Sequence, residues 1–136
     1  MGSFKSFEEI LAWQKARELC KEVYDISLNE GFKKDYGLVD QIRRASVSVM
    51  ANIAEGYERR GDKEFVRFLN IAKGSLAEVK SHLYIAFDLN YITTSEKDEL
   101  FAITDETGKI ISGLISYLKK NIGKPRTNDL TLTTKD

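Results

Sequence analysis

The chain has 136 residues, 42% hydrophobic and 31% charged, the size and composition of one globular domain that can bury a core without disulfides or metals. Its 21 Lys and Arg balance 21 Asp and Glu, so no global field draws it to nucleic acid or to an anionic membrane, and any such binding has to come from a local patch. A single Cys excludes an internal disulfide and fits a reducing compartment; without a signal-peptide start or an apolar run near the roughly 20 residues of a membrane span, the expected location is the cytoplasm, with no membrane partner.

One proline among many Leu, Ile, Ala, Glu and Lys residues favours helix over sheet. Ser6-Phe7-Glu8-Glu9 reads as a capping box that opens a first helix at Ser6. Trp13, Ala16, Cys20, Val23 and Ser27 then recur at spacings of three and four. Ile10, Leu19, Tyr24 and Ile26 widen that stripe, and Gly31 supplies a stop after about six turns. Cys20 lies on the stripe and reads as a small buried hydrophobe.

A second helix is expected from near Tyr36 to about Arg60, with Val39, Ile42, Ser46, Val49, Ile53 and Tyr57 on its inner face and Gly56 or Gly61 at its end. Beside that face lie Ala45, Ser48, Ala51, Asn52 and Ala54, small enough to admit another backbone closely. Asp62 is placed to cap a third helix, along which Phe65, Leu69, Ala72, Leu76, Val79, Leu83 and Ala86 form the strongest periodic signal in the chain. Phe68, Ile71, Ser75, Glu78, His82 and Ile85 make a second stripe on the same helix, displaced too far around it for one core to cover both easily.

Thr93 and Glu96 form another capping box, opening a fourth helix to about Asn121. Leu100, Ile103, Thr107, Ile110, Leu114 and Tyr117 make one stripe on it, and Phe101, Thr104, Gly108, Ile111, Ile115 and Leu118 an adjacent one. Gly108 and Gly113 each cost about 1 kcal/mol relative to alanine inside a helix, a loss that close packing is expected to offset. Residues 1–122 thus read as one all-α domain, an antiparallel up-down-up-down four-helix bundle, and 123–136 as a disordered polar tail.

Catalytic chemistry has little to stand on. His82 is the one histidine, and Glu78 lies four residues before it instead of the three used in helical carboxylate metal sites, so a structural or interface role fits it better than a metal or acid-base role. Gly56, Gly61 and Gly74 are too scattered for a phosphate loop, and Ser46 and Ser48 have no base within their motif. No enzymatic activity, metal or cofactor is expected.

Charge is uneven although its sum is zero. From Gln41 to Lys73, Arg43, Arg44, Arg59, Arg60, Lys63, Arg67 and Lys73 outnumber Glu55, Glu58, Asp62 and Glu64; Lys109 to Arg126 adds Lys109, Lys119, Lys120, Lys124 and Arg126 with no acid. Arg43, Arg44, Arg59, Arg60, Lys63 and Arg67 are the candidate nucleic-acid contacts, arginine being the better bidentate partner for phosphate. The plainer account is that they are solvated faces. Arg43 and Arg44 lie about 24 Å along the helix from Arg59 and Arg60, so within one subunit they are not one patch. Asn52 and Glu55 either fix the register of a neighbouring subunit, or Glu55 simply supports Arg59 one turn on.

The run Gln41-Ile42-Arg43-Arg44-Ala45-Ser46-Val47-Ser48, with Ala51-Asn52-Ile53-Ala54-Glu55-Gly56, resembles the signature of the four-helix bundle proteins encoded in intervening sequences of large-subunit ribosomal RNA genes. Phe7 to Ala16, Glu64 to Ala77 and Gly108 to Leu118 are similar to that family as well, so the likeness spans about residues 4 to 120. It implies a bacterial homopentamer. It also implies kinship with the accessory variability proteins of diversity-generating retroelements, which engage a reverse transcriptase and nucleic acid through a basic surface. Met50 stands where relatives usually have proline, which implies a straighter second helix, and the balanced charge departs from the strongly basic accessory proteins.

The broad apolar surface of the third and fourth helices and the small face of the second are together expected to drive self-association, with Asn52, Glu55, Phe68, Ile71, His82 and Ile85 as the candidate interface. Beyond the chain itself, the expected partners are RNA, DNA or a reverse transcriptase. A structural or protein-binding assembly with no nucleic-acid contact is the alternative.

Overall fold

A computed structural model describes residues 4–122, and among them every regular element is helical. Helix α1 spans Leu11–Ile26, α2 Tyr36–Glu58, α3 Asp62–Asp88 and α4 Thr94–Asn121, with single 3-10 turns at Phe7–Glu9 and Phe32–Lys34. Each helix packs on its neighbours in the chain, and α4 closes on α1. Side-chain contacts fix the directions. Cys20 meets Ser46 and Ser27 meets Arg43; Ser48 meets Ser75; Lys80 meets Asp105; Lys15 meets Glu106 and Asn29 meets Glu96. Where two such contacts join the same helices, the number rises on one as it falls on the other, and the short connections turn each helix back along the last, giving the antiparallel four-helix bundle expected from the period.

The core follows the stripes. All seven residues of the main α3 stripe, Phe65 through Ala86, are buried, and they share one core with Leu19, Val23, Ile42, Val49 and Ile53 from α1 and α2. Both stripes of α4 also turn inward: Leu100, Thr104, Thr107, Ile110, Ile111, Leu114, Ile115 and Leu118 are buried. The surplus apolar surface expected on that helix is therefore absorbed within one chain. The second α3 stripe differs, as described below.

Helix ends depart from the sequence reading in ways that local chemistry explains. Ser6 makes no side-chain cap; Glu9 instead accepts from the Lys5 amide at 3.0 Å. Ile10, fully buried, takes an extended backbone (ψ 122°), so the chain breaks there to place Ile10 in the core and α1 begins only at Leu11. At its other end α1 stops at Ile26, well before Gly31. The Ser27 hydroxyl donates to the Tyr24 carbonyl at 2.9 Å, and Gly31 is right-handed (φ −71°), with its open side facing the Tyr91 ring. The first helix thus has 16 residues, fewer than about six turns require.

Neither Gly56 nor Gly61 terminates α2. The left-handed residue after its end is Arg60 (φ 62°), while Gly61 precedes α3 and Asp62 is that helix's first residue, not its cap. Gly56 serves packing instead. A Cβ there would lie 2.6 Å from the Cβ of Phe68 and 3.1 Å from the Phe65 ring, so α2 and α3 approach too closely for any side chain. Helix α3 ends in a Schellman motif at Asn90 (φ 62°), with the Tyr91 amide donating to the Ala86 carbonyl and the Asn90 amide to Phe87. The Thr93–Glu96 capping box is formed in both directions, and Asn29 reaches across to Glu96 and to the Tyr91 carbonyl, tying two loops at one end of the bundle. The tail from Gly123 to Asp136 lies outside the described residues.

Candidate functional site

Register decides the fate of the basic residues. Arg43 points back to α1, where its Nε donates to Ser27 Oγ at 2.9 Å and its guanidinium lies 4.4 Å over the Tyr24 ring. It pins the end of α1 to α2. Arg44 pairs with Asp40 one turn earlier at 2.9 Å, an exposed contact worth a few tenths of a kcal/mol.

At the far end of α2, Arg59 pairs with Glu55 at 2.7 Å, the simpler of the two readings of Glu55. Arg67 grips both carboxylate oxygens of Glu64, at 3.0 and 3.2 Å. Arg67's hydrogen bond holds the Glu64 carboxyl below the ordinary carboxylate range and raises the Arg67 guanidinium in return. Both guanidiniums lie over the ring of buried Phe68, 5.0 and 4.6 Å from its centre, so Phe68 is a floor for two arginines and does not face solvent. Of the six candidates, Arg43, Arg60 and Lys63 have no carboxylate in ion-pair range among the described residues; Arg43 is held by Ser27 and the Tyr24 ring, whereas Arg60 and Lys63 are exposed.

The candidate interface residues likewise separate. Asn52 donates its amide to the Ser48 carbonyl at 2.8 Å and to Ser48 Oγ at 3.0 Å, and Ser75 donates to Ser48 Oγ at 2.8 Å, closing a small polar network between α2 and α3. Ile71 and Ile85 are 41% and 43% exposed, about four turns apart along α3 and on its flank away from the core. Between them His82 is half-buried. Its Nδ1 is out of reach of water and has no hydrogen-bond partner, the one buried side-chain polar atom so stranded among the described residues. The imidazole lines a shallow groove of about 310 Å³ with Gln41, Arg44, Ala45, Ser48 and Glu78.

Sequence reasoning missed a second groove, of about 600 Å³, between α3 and α4. Leu76, Ala77, Thr104, Gly108 and Ser112 form its floor, with Lys73, Lys80, Asp105 and Lys109 at its edges. Lys73 and Lys109 fall in separate basic stretches of the sequence, and only the antiparallel register of α3 on α4 brings them to one place. Elsewhere, no group of three or more His, Cys, Asp or Glu side chains gathers in a way that could hold a metal ion among the described residues. No described helix is long and apolar enough to cross a membrane.

Comparison with known proteins places this geometry. The sequence pattern of the 23S rRNA-intervening sequence protein family matches residues 8–113. Among solved structures, a protein of unknown function from the S23 ribosomal protein family of Bacteroides thetaiotaomicron VPI-5482 is similar, with a TM-score of 0.70 and 25% sequence identity over 76% of this chain and 97% of that one. No curated protein matches significantly.

Proposed function

We propose, for a chain that belongs to the 23S rRNA-intervening sequence protein family, that it works as a non-catalytic homo-oligomeric adaptor whose copies join through the outer face of α2 and α3. The observation that carries this reading is the exposed apolar flank of α3, where Ile71 and Ile85 stand open to water on either side of His82. A neighbouring copy seated on this flank would take Ile71 and Ile85 out of water. With α4's apolar stripes already spent on the core, this face is narrower than the sequence suggested. If this face meets a different face of the next copy and the rotation closes, the assembly is a ring, and five subunits is the number the family resemblance implies.

The test is directional. Ile71→Glu with Ile85→Glu should reduce the assembly to single chains in size-exclusion chromatography with light scattering, while Ala102→Glu, at an exposed position of α4, should leave it whole. Equal behaviour of the two variants would refute the placement of the contact.

Association with RNA, or with a nucleic-acid enzyme, is a second part of the reading. It rests on Arg60 and Lys63, the two candidates whose charge is not already engaged. Repeated by symmetry they would form a ring of cations, and kinship with the retroelement accessory proteins would make a reverse transcriptase the enzyme served. Mobility shifts with structured RNA should weaken steeply with salt and be lost in Arg60→Glu/Lys63→Glu; absence of any shift at about 50 mM salt leaves the purely protein-binding alternative.

A further inference from the structure

The groove between α3 and α4 opens on a different side of α3 from the Ile71 and His82 face, so nothing said of self-association accounts for it. Its floor is small. Gly108 lies in the middle of α4, yet a Cβ there would meet nothing closer than Leu76 Cδ1 at 3.7 Å, an ordinary contact. The fold of this chain therefore does not require glycine at 108, and a helical glycine it does not require is a standing cost. With Ala77 opposite, the floor is low enough for another helix to lie at the roughly 8 to 10 Å axis separation of close helix packing.

The edges are cationic. Lys80 is held by Asp105 at 2.9 Å, whereas Lys73 on α3 and Lys109 on α4 are exposed and have no carboxylate in ion-pair range among the described residues. They flank the groove from opposite helices. We propose that this groove docks an amphipathic helix of a partner protein, one with small or apolar residues along its inner stripe and carboxylates on both flanks to meet Lys73 and Lys109. Nucleic acid fits the groove less well: its floor offers no aromatic ring for a base to stack on, and Asp105 stands at its edge against phosphate.

A phage-displayed library of helical peptides about five turns long, selected on the full chain and counter-selected on Lys73→Glu/Lys109→Glu, tests this. Survivors should be enriched in Glu and Asp flanking an Ala- or Leu-bearing stripe. A synthetic survivor followed by fluorescence anisotropy should bind roughly tenfold more weakly, or worse, to Lys73→Glu/Lys109→Glu and to Gly108→Leu, and unchanged to Ile71→Glu/Ile85→Glu. The lysine pair is exposed, so that variant keeps the fold even if Gly108→Leu proves unstable by circular dichroism. Survivors without acidic enrichment, or binding indifferent to the lysine pair, would overturn the proposal. So would groove amide shifts in NMR produced by a short single-stranded RNA in place of the peptide, or by raising the protein concentration alone.

Discussion

Several residues here are set by geometry that their chemical type would not suggest. Arg60 holds a left-handed backbone that favours glycine, at a cost of roughly 1–2 kcal/mol for an ordinary side chain. Arg60→Gly should raise stability by up to about 1 kcal/mol in urea denaturation, the added freedom of the unfolded chain taking back part of the gain. Gly56 is the opposite case. Gly56→Ala should lower stability by about 1–3 kcal/mol, because the atom it would strike is the Cβ of Phe68, which cannot swing aside. Tyr91 donates to Asp35 Oδ2 at 3.0 Å, and that hydrogen bond to a carboxylate holds its phenol above the usual value near 10. A raised folded-state pKa contributes stability that is complete below the unfolded pKa and lost as pH rises through the folded one. Tyr91→Phe should therefore cost stability at neutral pH and flatten the alkaline limb of a stability-against-pH curve; a limb unchanged from wild type would assign the alkaline loss elsewhere.

At the scale of elements, periodicity was a good guide to which helices exist and a poor one to where they begin. The repeat from Phe65 to Ala86 is legible because every member faces one core. The boxes at Ser6 and Thr93 are spelled alike, yet only the second forms: Ile10 sits where helix would hold it out of the core, and its burial prevails over the cap. Ion pairs within one helix, such as Arg59 with Glu55, were readable from spacing. Contacts between helices were not, since Arg43 on Ser27, Phe68 beneath two arginines, and Lys73 across the groove from Lys109 all depend on a register that no single segment encodes. Helical glycines give a further check. Around Gly74 a Cβ would meet nothing within 4 Å, so Gly74→Ala should stabilise the isolated chain by about 1 kcal/mol in thermal unfolding, and a loss of stability would mean that something packs there in solution.

The whole molecule is a bundle whose interior is complete and whose outer faces are not equivalent. One flank of α3 carries exposed isoleucines and a histidine lacking its hydrogen bond; the other carries a cation-edged groove with a low floor. A bundle of this size needs neither the exposed isoleucines nor the groove to fold; on the function proposed above, the first meet other copies and the second a different protein. That division makes self-association separable by mutation from partner binding. The central claim is the first of these, and sedimentation velocity of the wild-type chain at low micromolar concentration tests it most directly. A single boundary at about five times the 15.5 kDa mass of the chain is the expected result; a boundary at 15.5 kDa would contradict the account.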